Sequence, residues 1–131
     1  MIALDTNVLV RYLVEDDKAQ SAKARALVNR AVANHESLFV PDIVVCETVW
    51  VLTAAYEVTR AEVRRILSLL LTASHLRFRD LDQLARARDA FDAGRGDFAD
   101  YLIREQAVAA GCERVATFDR ALLSEQRFSL P

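Results

Sequence analysis

"SLFVPDIVVCETVWVL", residues 37–52, decides the fold. Leu38, Phe39 and Val40 form a short apolar run that stops at Pro41, a residue unable to donate to a strand ladder. Asp42 is placed to cap a following helix. Ile43, Cys46, Glu47, Trp50 and Ala54 then share one stripe of that helix. A strand, a break and a helix make the repeating unit of an α/β fold. The stripe holds one acid. A carboxylate among apolar neighbours is costly unless positive charge meets it. Glu47 is therefore expected to face inward, with Arg11 a candidate to neutralise it.

The same alternation continues on both sides. Ile2–Leu4 predicts a first strand ending at Asp5, followed by a helix with Val8, Leu9, Tyr12 and Leu13 at helical spacing. "EDDK" is a turn and cap, and Lys18–Asn34 reads as an amphipathic helix on Ala22, Ala26, Leu27 and Val28. Thr59 and Glu62 have capping-box spacing and open the apolar helix "RAEVRRILSLLLTA", residues 60–73. "HLRF", residues 75–78, predicts a third strand. Asp80 and Gln83 cap a helix that runs toward Gly94 and Gly96. Asp97 starts another helix, which Gly111 ends. "RVATF", residues 114–118, predicts a fourth strand, Asp119 a short final helix, and "RFSLP", residues 127–131, an edge strand. The pattern implies a single α/β domain over residues 1–131. It is expected to be a three-layer α/β/α sandwich around a mainly parallel sheet of four or five strands.

Composition narrows the function. A chain of 131 residues, 53% hydrophobic and 27% charged, has the composition of a globular domain with a core. No apolar run reaches the ~18 residues of a membrane span. "MIALDTNVLV" has neither a basic lead nor a small-residue cleavage site, so a cytoplasmic protein is expected. Cys46 and Cys112 fit no metal spacing and are expected to be buried thiols. A net charge of −2 gives no overall pull toward nucleic acid. All the basic residues but Lys18 and Lys23 are arginine, which suits bidentate phosphate contacts.

In parallel α/β folds, sites lie beyond the carboxyl ends of the strands. Asp5 follows the first strand and Asp119 the fourth, so both are expected on one rim. Asp97 and Asp100 open a helix leading away from it, and Glu47 sits about a turn and a half into the helix after the second strand. Each has a plainer role open to it: Asp5, Asp97 and Asp119 as caps, Asp100 as the partner of Arg104 one turn on. Gathered together, the carboxylates would repel one another unless a cation held them. All-oxygen donors favour Mg²⁺ or Mn²⁺. His35 and His75 lie away from the rim, which disfavours zinc.

"MIALDTNVLVRYL", "PDIVVCETVWVL", "DFADYLI" and "VATFD", in that order, resemble the PIN-domain family, and more narrowly its VapC-type ribonuclease toxins. The resemblance runs from Met1 to about Leu123. It implies that Asp5, Glu47, Asp100 and Asp119 are the catalytic metal ligands, with Asp97 as a further acid. Thr6, Asn7 and Thr117 would orient them. Tyr101 departs from the pattern, since a small residue is commoner there, and could narrow the site. The resemblance further implies an RNA substrate, Mg²⁺ or Mn²⁺ as cofactor, a cognate antitoxin protein and a homodimer. The leucines at 67, 69, 70 and 71 would serve either a helix packed on two sides or a partner groove. Arg11, Arg95 and Arg120 lie close enough in sequence to the acids to contact phosphates.

Named residues disfavour two other aspartate-rim classes. A haloacid-dehalogenase-type phosphatase needs a second aspartate where Asn7 stands, and a phospho-receiver domain needs a late lysine, whereas both lysines here are early. A PIN-like module that binds RNA or protein without catalysis is the remaining alternative.

Overall fold

Strand and helix alternate as the apolar runs predicted. A computed structural model describes residues 1–131. These divide into two units, Met1–Arg79 and Asp80–Pro131. The first holds β1 (Ile2–Ala3), α1 (Thr6–Leu13), α2 (Lys18–Ala33), β2 (Leu38–Phe39), α3 (Asp42–Ala54), α4 (Arg60–Thr72) and β3 (Leu76–Arg77). The second holds α5 (Leu81–Ala93), α6 (Phe98–Ala109), β4 (Val115–Ala116), a 3₁₀ turn (Arg120–Leu122) and β5 (Phe128–Ser129). The fold class is α/β, and every strand pairing is parallel. The five strands form two ladders, β1-β2-β3 in the first unit and β4-β5 in the second.

In the first unit Ile2 lies opposite Leu38, and Leu38 opposite Leu76. The ladder continues past the assigned strands, with Leu4 N donating to Phe39 O and Val40 N to Arg77 O. Parallel pairing puts the ends of β1 and β2 on one side of this sheet, so Asp5 and the start of α3 leave from the same edge. Helix α1 packs against α2 and α3, and α3 against α4.

Helix α3 departs from its predicted orientation. It buries Val44, Val45, Thr48, Val49 and Leu52, while Ile43 and Trp50 are 66% and 68% exposed. The Ile43–Glu47–Trp50–Ala54 stripe faces outward, and Glu47 with it. The helix is apolar almost all round, so periodicity could not select a face. The β-branched side, which meets α1 and α4, became the buried one. Asp42 is likewise not the cap. Pro41 holds that position, and the Asp42 carboxylate receives a hydrogen bond from Arg79 Nε at 2.9 Å. Arg11 is engaged by Asp16 at 2.8 Å, by Gln20 at 2.7 Å and by Tyr56 at 3.1 Å.

Other local expectations divide in the same way. Caps fall where the side-chain chemistry placed them: Asp17 accepts from Gln20 N, Thr59 from Glu62 N, and Asp80 from Gln83 N. Helix α2, however, buries Ser21, Ala24, Val28 and Ala31 rather than Ala22 and Ala26. In α4, Leu67, Leu70 and Leu71 are buried while Leu69 is 58% exposed. Cys46 is half-buried and Cys112 exposed. Burial, and then the Asp42 and Glu47 charges, push the Cys46 thiol up to about 11, so it is an inert thiol at neutral pH.

In the second unit α5 packs on α6. Phe91 and Phe98 meet edge-to-face with centroids 6.4 Å apart. Helix α6 ends in a Schellman motif. Gly111 takes φ +89°, its N–H donates to Val108 O, and Cys112 N–H reaches back to Ala107 O. That turn delivers the chain into β4, and β5 supplies the expected edge strand.

Candidate active site

Asp5 is the residue after the last ladder bond of β1 and the N-cap of α1. Its Oδ1 accepts from Thr6 N at 2.8 Å. Glu47 projects from α3 into solvent. Neither forms an ion pair. Each has a threonine as its next residue, and the hydroxyls of both, Thr6 and Thr48, are buried without a hydrogen-bond partner. Arg11 lines a cavity of about 490 Å³ between α1 and α2, together with Asn7, Lys23 and Arg30.

The second unit brings more of the predicted acids together. Asp97 and Asp100 form a reciprocal capping box at the start of α6, in which Asp97 N donates to Asp100 Oδ2 at 2.9 Å. Asp119 follows β4 and caps the 3₁₀ turn, its Oδ1 accepting from Ala121 N at 2.9 Å. Thr117 Oγ1 accepts from the backbone Asp119 N at 3.0 Å, so it touches the turn and not the Asp119 carboxylate. Burial raises the pKa of the Asp100 carboxyl, and the hydrogen bond from the Asp97 backbone opposes the rise. The negative charges of Asp97, Asp119 and Glu125 push it further up. The expected Asp100–Arg104 pair does not form. Arg104 lies over the rings of Tyr101 and Phe128, at 5.2 and 5.6 Å from their centroids.

Sequence reasoning missed Glu125. It lies past the 3₁₀ turn in a short polar stretch with no periodicity, and only tertiary packing sets it beside Asp100. Its Oε1 accepts from the Tyr101 hydroxyl at 2.7 Å and from Arg95 N at 3.0 Å. Its Oε2 is buried with no partner. Tyr101 also differs from its expected role. It is 1% exposed, so it does not narrow an open site.

Asp97, Asp100, Asp119 and Glu125 all lack an arginine or lysine partner. Of these, Asp100 resists ionisation, first because it is partly buried and then because acidic neighbours face it. Neither unit by itself draws three such side chains close enough to hold an ion between them. The donors are nevertheless all oxygen, uncompensated by guanidinium, and one buried oxygen is orphaned. That donor chemistry fits a hard divalent cation.

A family model described as PIN domain matches residues 2–127. The matched stretch runs through both units and contains all the candidate acids. No curated protein matches the chain. No helix is long and apolar enough to cross a membrane.

Proposed function

The chain belongs to the PIN-domain family of nuclease-type modules, and from that premise we propose that it is a metal-dependent endoribonuclease. Its metal is Mg²⁺ or Mn²⁺, and its biological role is that of a VapC-type toxin, a homodimer held in check by a cognate antitoxin. The observation that carries this reading is the set of acids without cationic partners. Asp5, Glu47, Asp97 and Asp119 are solvated, whereas Asp100 is half-buried with no cationic partner. Here Asp100 is pushed toward its neutral form by burial and by its acidic neighbours.

Asp5, Glu47, Asp100 and Asp119 are the proposed metal ligands, with Asp97 as cap and auxiliary acid. A divalent cation, when bound, supplies a nucleophile at neutral pH and offsets charge on the scissile phosphate. The protein's own residues do the holding. The Asp5 and Asp119 carboxylates are each fixed by a capping hydrogen bond from a backbone N–H. Thr117 restrains the turn that presents Asp119. Arginines near the acids, Arg95 and Arg120, are free to meet phosphates.

The test follows from the cap geometry. Asparagine is as good an N-cap as aspartate, so Asp5→Asn retains the acceptor for Thr6 N while losing a charged ligand. The variant is expected to stay folded and to lose metal-dependent RNA cleavage. Full cleavage by Asp5→Asn, with contaminating nuclease excluded, rules the mechanism out. The toxin role is read separately, by growth arrest on expression without a partner and by sedimentation of the chain alone and with the product of the neighbouring reading frame.

A further inference from the structure

Tyr101 follows Asp100 in the chain and is buried in the second unit. Its hydroxyl accepts from Gly96 N at 2.8 Å and donates to Glu125 Oε1 at 2.7 Å. The same carboxylate oxygen accepts from Arg95 N at 3.0 Å. One phenol and one carboxylate therefore satisfy two successive backbone N–H groups of the loop that leads into α6. That loop ends at Asp97, whose capping box orients Asp100. Glu125 is tied to the turn on the other side, its N–H donating to Leu122 O at 2.9 Å. The turn begins at Asp119. The backbone lies so close that a Cβ on Gly94 would stand 1.9 Å from the Tyr101 hydroxyl and 2.3 Å from Glu125 Oε1.

We infer that Tyr101 and Glu125 are a positioning pair: their hydrogen bond joins the loop carrying Asp97 and Asp100 to the turn carrying Asp119. It thereby sets the geometry in which a divalent cation is gripped. The bond is charge-assisted and closed off from solvent on the phenol side, the setting in which such bonds are strong and directional. A tyrosine that served packing alone would not need a carboxylate acceptor. Nor would it require two glycines, Gly94 and Gly96, to clear space around its ring. The inference rests on the reading of Asp100 and Asp119 as metal ligands, and its experiment separates the two.

The whole protein is titrated with Mn²⁺ as wild type, Tyr101→Phe, Glu125→Ala, Glu125→Gln and the double variant Tyr101→Phe/Glu125→Ala. Unfolding curves show that each is folded at the titration temperature. Phenylalanine keeps the ring and deletes the hydroxyl, and glutamine keeps the acceptor and deletes the charge. Tyr101→Phe and Glu125→Ala are each expected to weaken Mn²⁺ binding about tenfold, the usual loss when a residue that orients a ligand is removed. The double variant is expected to be little worse than either, because both break one link. Glu125→Gln is expected to recover most of the affinity lost in Glu125→Ala. Amide exchange at Arg95 and Gly96 should quicken in Tyr101→Phe. If wild type binds Mn²⁺ and Tyr101→Phe binds it equally well, the pair is structural and the inference is wrong, while the metal site stands. If Glu125→Gln is as weak as Glu125→Ala, Glu125 acts by charge, as a ligand, and the positioning role falls. If wild type binds no Mn²⁺, the metal reading fails and the positioning role goes with it.

Discussion

Replacing Gly94 by alanine gives the most exacting check on the packing in the second unit. Gly94 has φ −105° and ψ −169°, backbone that any residue adopts, so the outcome depends on space alone. The new methyl would meet the Tyr101 hydroxyl at 1.9 Å and its Cζ at 2.8 Å. Those atoms belong to a rigid ring that is 1% exposed, so it cannot swing aside cheaply. Pushing the phenol back to ordinary contact breaks its hydrogen bond to Glu125, and bonds to charged groups contribute about 1.5–3 kcal/mol. It also strips the Gly96 N–H of its acceptor, at about 1–3 kcal/mol for a buried group left unsatisfied. Reduced entropy of the unfolded chain returns about 0.4–1 kcal/mol. The expected net loss is about 2–5 kcal/mol, large against the ~5–15 kcal/mol typical of a domain. Urea unfolding followed by circular dichroism reads it as a lower midpoint at unchanged slope. In a Tyr101→Phe background the hydroxyl and its two hydrogen bonds are already gone, leaving Glu125 Oε1 at 2.3 Å and the ring Cζ at 2.8 Å, so the further loss from Gly94→Ala should be smaller. A neutral Gly94→Ala, or one whose loss is the same in both backgrounds, refutes the packing argument.

The remaining predictions use other features. The pKa of Asp100 is raised in the folded chain, so the stability this group contributes is full at low pH and is lost as pH rises through the raised value. Asp100→Asn keeps an acceptor for Asp97 N, and the metal-free variant should gain in melting temperature over wild type as pH rises above the ordinary carboxylate range; a pH-independent gap contradicts the assignment. Mn²⁺ should raise the melting temperature of wild type, by about 2.7 kcal/mol of stability at a hundred times Kd, and should do so far less for Asp119→Asn, as thermal scans would show. Gly111→Ala meets no atom within 4 Å but keeps φ +89°, so it should cost about 1 kcal/mol through backbone strain alone; a cost near zero in urea unfolding would contradict the left-handed turn. Trp50 is 68% exposed, so Trp50→Ala should change monomer stability by no more than about 0.5 kcal/mol and the tryptophan should fluoresce like a solvated indole. A loss above about 2 kcal/mol would mean that the α3 stripe is buried after all.

The sequence alone determined the order of elements, the parallel pairing, the caps within "EDDK" and at Thr59 and Asp80, the glycine turn at Gly111, and Asp5, Asp97, Asp100 and Asp119 as residues at strand ends and helix starts. All of these depend on chemistry within a few residues: a side-chain oxygen within reach of the next turn's N–H, a Cβ that a left-handed turn disfavours, an apolar run interrupted by proline. Tertiary structure decided which way nearly uniform helices face. Helix α3 is apolar on every side, so the choice between the Val44–Val45–Val49 face and the Ile43–Trp50 face fell to its neighbours α1 and α4, and Glu47 was carried outward with the losing side. It also decided the role of Tyr101 and revealed Glu125. A hydrogen bond spanning 24 positions leaves no periodic trace, because the energy that forms it depends on a packed interior that exists only once the chain has folded.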